Sequence, residues 1–321
     1  MTEENKRDNL LINAEYELHF EKTYCIIKSL NDLSYTRIYG KIYSALQNAL
    51  EAGITNEDIV CFLRQVCSNS KPEYFCSKNR EIRIKKDISV DSLLCRTIKN
   101  IPSVCFSLWS ICTLIGFSLS LGCYLFLTTP FQMGQTKVDV YIVSWILVNI
   151  LLHEVGHLFF CVQAGRSVPE VGLKLFLFVF PMFYCKTTDI CMASKTDRIK
   201  TSLAGVFNNA ILCSATELMY LFITKDATIF RCFSVSFFFI VSNILPFFKL
   251  DGYYILSDLL NVSDLRHRSS SKVAEIILRK QRIRKGDVIF LAYYVIDKIF
   301  ISILMLWGVY NAYCLFLYHP Q

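Results

Sequence analysis

The chain has 321 residues, 53% of them hydrophobic and only 19% charged. Ordinary soluble domains carry about 25% charged residues and a smaller apolar share, so disorder is excluded and a purely soluble enzyme is disfavoured. The formal net charge of +7 leaves nucleic acid, an anionic membrane surface or membrane topology to account for it.

The first hundred residues read as a soluble domain. They hold 15 of the 34 Lys and Arg and no apolar run long enough to cross a bilayer. Ile38, Ile42, Leu46 and Leu50, spaced by four, predict a helix over Tyr35–Ala52 that Gly53 ends. Thr55 is a candidate N-cap for a second helix over Glu57–Cys67. After a turn at Lys71–Pro72, the alternating segment Glu81–Ile88 reads as a strand. Helix, turn, helix and strand in this order suggest a small α/β, winged-helix-like domain over residues 1–99. It serves either as a peptide-recognition module or as a soluble cap on the membrane part of the chain. The polar start, MTEENKRDN, has no apolar core of a signal peptide.

From Ile101 the texture changes. Ile101–Leu127, Val140–Ala164, Thr201–Ile223, Cys232–Phe248 and Ile299–Leu317 are almost free of charge. A membrane helix needs ~20 mostly apolar residues. Residues 100–321 therefore read as a membrane-embedded domain of about five spans. With five spans, the segments on the N-terminal side carry 15, 6 and 9 Lys plus Arg, against 3 on the other side. The positive-inside rule then makes the N-terminus cytoplasmic and the tail His319–Gln321 external. The net charge is this asymmetry, and no nucleic-acid partner is expected. None of the 14 Cys forms a C-x-x-C pair, so they read as small apolar fillers.

His153-Glu154-Val155-Gly156-His157 is an H-E-x-x-H motif. On a helix the two His share one face and can bind one Zn²⁺, while Glu154 reaches a water as general base. Glu154 is the only acid in Val140–Ala164, and an ionisable group in a span is costly enough to mark function. A third ligand should come from the same depth. The fourth span ends at Pro246, which breaks the helix, and Gly252 permits a turn beside Asp251. Asp251 is therefore the expected third ligand of a site with one open position.

These segments resemble the site-2 protease family of intramembrane zinc metallopeptidases, and more specifically the bacterial peptide zinc metalloproteases. The likeness rests on His153–His157, Leu250-Asp-Gly-Tyr253, Val168-Pro-Glu-Val-Gly172, Pro181-Met-Phe-Tyr184 and Ser202–Asn208, across about residues 100–270. It implies one zinc ion held by His153, His157 and Asp251, with Glu154 activating water. It also implies a peptide precursor or small membrane protein as substrate, and an ABC exporter or peptide-modifying enzyme as partner. The family's Ala-Gly-Pro is Ala204-Gly205-Val206 here, and the short outer loops leave no room for a PDZ domain.

Val168–Cys185, broken by Pro169, Gly172 and Pro181, reads as a re-entrant hairpin or loop that either holds substrate by strand addition or only packs. Asn208 and Asn243 are candidates for substrate contact or for interhelical hydrogen bonds. Glu217 is expected to reach the membrane interface, Asp297 and Lys298 to mark the edge of the last span, and the basic run Arg279–Lys285 to touch anionic lipid. The fold class is mainly α: a polytopic α-helical membrane protein of about five spans plus a re-entrant segment, with the small α/β domain in front. The expected function is zinc-dependent endoproteolysis in a multi-pass cytoplasmic membrane protein, serving maturation or export of a ribosomally made peptide. A non-proteolytic partner in peptide export or immunity, and a signalling protease, are the alternatives.

Overall fold

A computed structural model describes residues 9–69, 83–88, 98, 107–129, 140–176, 180–279 and 283–317, apart from positions 13, 22–23, 31–34, 54 and 263. The turn at Lys71–Pro72, the start of the first span before Ser107, residues 280–282 of the basic run and the tail His319–Gln321 lie outside them. The chain divides into two compact units, Met1–Ser107 with Ile150–Thr201, and Leu108–Asn149 with Ser202–Gln321.

The first unit opens with a four-stranded antiparallel meander, β1 (Asn9–Ile12), β2 (Tyr16–Phe20), β3 (Tyr24–Ser29) and β4 (Tyr35–Tyr39), in that spatial order. Two helices follow, α1 (Gly40–Glu51) and α2 (Asn56–Asn69). Successive strand residues point to opposite faces. One face carries Ile12, Tyr16, Leu18, Cys25, Ile27 and Ile38, which pack with Leu46 of α1 and Ile59, Val60 and Leu63 of α2. The expected helix over Tyr35–Ala52 is thus half right. Its first five residues are a strand, and Gly40, at φ +57°, makes the change of conformation. Gly53 (φ +68°) and Thr55, which accepts from the Asp58 N–H at 3.4 Å, bound the two helices as predicted. The meander itself has no counterpart among the elements expected from the residue pattern.

The other face of the meander is polar and also buried. It meets the chain segment 166–198 through three ion pairs. Arg166 binds Glu17 at 2.7 Å, Arg198 binds Glu21 at 3.1 Å, and Lys28 binds Asp189 at 2.5 Å. Asp189 lies in a single 3-10 turn, Thr188–Met192, and is 3% exposed. Its carboxylate also accepts from the Tyr35 hydroxyl at 3.1 Å and from both the N–H and the hydroxyl of Ser167 at 2.9 Å. Tyr24 and Ile26 close over Met192 beside them.

A second sheet has three antiparallel strands in the order β5 (Arg83–Ile88), β6 (Val168–Phe176) and β7 (Phe180–Lys186). β5 is the strand predicted over Glu81–Ile88. It pairs with β6, far along the chain, rather than forming a wing on the N-terminal sheet. Val168–Cys185 is accordingly a hairpin.

The remaining helices are α3 (Leu108–Thr128), α4 (Val140–Gln163), α5 (Lys195–Phe222), α6 (Ala227–Ile244), α7 (Asp251–Leu259), α8 (Leu265–Arg279) and α9 (Val288–Leu317). The unit boundaries fall inside α4 and α5. Among the described residues, α3, α4, α6 and α9 are long and apolar enough to cross a membrane. The expected third span lies in α5, which is long enough but diluted by Asn208, Asn209, Ser214, Thr216 and Glu217.

In the second unit, Trp145 of α4 donates to the Cys232 carbonyl and the Ser236 hydroxyl of α6 at 2.9 and 3.0 Å. Phe126 of α3 packs among Phe230, Phe233 and Phe237 of α6. Two polar residues depart from expectation. Glu217 does not reach an interface: it is fully buried, with the Cys213 thiol donating to it at 3.3 Å. A Cβ on Gly122 of α3 would come within 2.5 Å of Phe237 and 3.0 Å of Glu217, so this glycine makes the space for both. Asp297 is not at a helix edge either, because α9 begins nine residues earlier, and it is 2% exposed.

The Lys28–Asp189 pair gives the first unit a pH dependence. Burial opposes the charge on Asp189, but Lys28 and the Ser167 N–H and hydroxyl outweigh it and hold its pKa below the usual carboxylate value. A carboxylate whose folded pKa is depressed adds stability above its unfolded pKa of about 3.9, and that stability is lost as pH falls through the folded value. Thermal unfolding of the detergent-purified protein should therefore show Tm falling below about pH 4, and the Asp189→Asn variant should flatten that fall. Lys28→Met alone should cost about 3–5 kcal/mol, and Lys28→Met with Asp189→Leu distinctly less.

Candidate metal centre

His153 and His157 sit one turn apart on α4, and their Nε2 atoms are 3.1 Å from each other. The rings meet edge to face, with centroids 4.7 Å apart. The Nδ1 atom of His157 is 2.7 Å from the Thr201 backbone carbonyl. A carbonyl only accepts, so Nδ1 carries a proton, and a neutral ring then keeps its lone pair on Nε2. That is the tautomer a metal needs, and the bond also fixes the ring.

α4 ends just beyond these residues. Gly165, at φ +75°, donates to the Val162 carbonyl and Arg166 donates to that of Cys161. This is a Schellman ending, with glycine at the left-handed position. It turns the chain sharply, so that Arg166 and Ser167 reach Glu17 and Asp189. The hairpin begins at once.

Glu154 stands beside His153, and its Oε2 accepts from the Cys185 backbone N–H on β7 at 2.9 Å. Among the described residues β7 is an edge strand, and Cys185 lies opposite Val171 of β6. Main-chain groups alternate in direction along a strand. The Cys185 N–H therefore points off the open edge, and Phe183, two residues earlier, presents its main chain the same way. The Cys185 thiol is pushed up in pKa by burial and then by the adjacent Glu154 charge.

Asp251 is the first residue of α7. Six residues, Leu245–Leu250, link it to the end of α6. A Cβ on Gly252 would lie 2.0 Å from the Ile244 carbonyl oxygen, so only glycine lets α7 start here. The two imidazoles lie in the first unit and Asp251 in the second, and Asp251 is the carboxylate that the sequence offers as third ligand. Two imidazoles and a carboxylate with an open fourth position is the donor set of catalytic zinc, and the anchored His157 ring fits it.

The two candidate asparagines stand apart from this group in character. Asn243 is 8% exposed and donates to the Phe239 carbonyl of its own helix at 2.8 Å. Asn208 is half-buried on α5. Two partners of the site had no signal in the sequence, the Thr201 carbonyl and the Cys185 N–H. Both are main-chain groups, which any residue type supplies.

Comparison with known proteins adds a relative. The chain is 31% identical over 128 residues to a Bacillus subtilis (strain 168) protein named "Putative peptide zinc metalloprotease protein YydH". That stretch is 40% of this chain and 51% of the relative, so the chain spans about half the length of the curated relative it matches. No family model matches the chain, and no solved structure matches it.

Gly252→Ala should therefore dislodge the start of α7 from Ile244, because backbone cannot yield as a flexible side chain would. Zinc bound per purified chain, measured by atomic absorption, should fall to near zero in His153→Ala with His157→Ala and drop substantially in Gly252→Ala. Stoichiometric zinc in the double His variant would overturn the site.

Proposed function

We propose that the protein is an intramembrane zinc endopeptidase of the site-2 type, with His153, His157 and Asp251 as zinc ligands and Glu154 as general base and acid. The observation that carries this reading is the His153–His157 pair on the apolar helix α4, with Glu154 beside it held by a strand edge. The likeness to the Bacillus subtilis relative supports it. A zinc ion bound here supplies Lewis-acid polarisation of a scissile carbonyl and a lowered water pKa.

The chain's own residues do the rest. Glu154 takes a proton from the attacking water and returns it to the leaving amine. The Cys185 N–H holds one carboxylate oxygen, so the other is aimed by a rigid strand rather than by a free side chain. The Thr201 carbonyl keeps His157 in one tautomer throughout. The open edge of β7, with the main chain of Phe183 beside the Glu154 contact, takes the substrate as an added strand. That solves a difficulty of cleaving in a bilayer, where helical amides are shielded: a substrate paired to β7 is extended at the bond to be cut. Asn208 and Asn243 remain candidates for substrate contact on α5 and α6.

The substrate class is a peptide precursor or small membrane protein, cut near the cytoplasmic side, in the maturation or export of a ribosomally made peptide. The N-terminus is cytoplasmic and the C-terminus external in this reading, in a multi-pass protein of the cell membrane. An ABC exporter or a peptide-modifying enzyme is the matching partner.

Glu154→Gln should abolish cleavage, by at least about 10²–10⁴-fold, the worth of a general acid–base, while retaining zinc. Mass spectrometry of peptides copurifying with that variant from its host identifies the substrate. Full cleavage by Glu154→Gln would sink the proposal.

A further inference from the structure

The turn that carries Asp251 is braced from α8 and α9. Arg266, near the start of α8, donates through Nη2 to the Phe247 carbonyl at 2.6 Å and to the Asp297 carboxylate at 2.7 Å. Asp297 is 2% exposed within an apolar helix, where an unpaired carboxylate is very costly. Tyr293, one turn earlier on α9, donates its hydroxyl to the Pro246 carbonyl at 3.1 Å. Phe300, one turn later, stacks on Phe247 at 4.5 Å between centroids and touches Phe248 edge-on at 5.8 Å. Residues 293, 297 and 300 share one face of a helix. That face is therefore spent on the turn Leu245–Leu250. On the other side, Gly252 abuts the Ile244 carbonyl, and the Tyr253 hydroxyl accepts from the Arg266 N–H at 3.2 Å.

We infer that Arg266, Asp297 and Tyr293 are positioning residues for Asp251, holding its turn in the one arrangement that presents the carboxylate as a metal ligand. Pro246 cannot continue α6 and its carbonyl has lost its helical donor, so the turn needs outside partners to have a fixed shape. A planar guanidinium joining a carbonyl and a buried carboxylate supplies them. The C-terminal helices thereby gain a role in the site although they contribute no ligand.

This inference rests on the zinc reading, and its test separates the two. Zinc affinity of the full chain in detergent is measured by competition with a chromophoric chelator. Hydrogen exchange of residues 245–252 is followed in the same samples by mass spectrometry. Asp297→Asn and Arg266→Gln should weaken zinc by about 10–100-fold, the usual effect of losing an outer partner of a ligand, and should speed exchange in the turn. Tyr293→Phe removes one hydroxyl and keeps the fold, and should weaken zinc about two- to tenfold, as loss of one hydrogen bond does. In an Asp251→Ala background, Asp297→Asn should cause no further loss, because the two act through one ligand. An equal loss in both backgrounds would mean a general structural role and overturn the inference, as would unchanged affinity and exchange in Tyr293→Phe. If the double His variant keeps its zinc, the zinc reading fails, and exchange in the turn still decides whether the brace exists.

Discussion

A polar side chain on an apolar helix has to find its partner inside the protein, because lipid offers none. That constraint organises the candidate site and much of the second unit. His157 is satisfied by a main-chain carbonyl, Glu154 by a main-chain N–H, Trp145 by a carbonyl and a hydroxyl across to α6, and Asp297 by Arg266. Each bond also fixes an orientation. The same pairing that makes burial tolerable makes the groups rigid, and a catalytic constellation needs that rigidity.

The N-terminal sheet is tied to this arrangement by charge rather than by an apolar face. Its apolar side is already covered by α1 and α2, and its polar side takes up Arg166, Asp189 and Arg198. Two of these flank the hairpin, and Arg166 and Ser167 directly follow the Schellman turn that ends α4. The sheet therefore holds both ends of the segment carrying the strand that positions Glu154. Ion pairs with so little exposure are weak contributors to net stability but demanding of geometry. They suit a joint whose purpose is register.

The membrane helices and the metal motif were legible because each has a local signature. Apolar runs mark the spans, and His153, Glu154 and His157 declare themselves by spacing. The turn before Asp251 was legible through Pro246 and Gly252, both of which the structure uses. The meander was not, for a physical reason: β3 is buried on both faces, so Tyr24–Ser29 shows no alternation, and Glu17, Lys28 and Arg37 look like surface. The four-residue spacing from Ile38 misled in a different way. Ile38 faces the core from a strand and Leu46 from a helix, while Ile42 between them is 45% exposed. Asp297 and Glu217 were placed at helix ends because sequence gives charge but not the distant partner that makes burial bearable.

The pairing of β5 with β6 has a consequence for what the smallest working piece of this protein is. A shortened chain beginning at Leu108 would retain every proposed ligand and all four helices able to cross a membrane. It would nonetheless strip one strand from the hairpin sheet and turn β6 from an interior strand into a bare edge. Such an edge recruits whatever strand is nearest. The segment ahead of the first apolar helix thus acts as a selvedge, leaving β7, among the described residues, as the outer strand of that sheet on the side of Glu154.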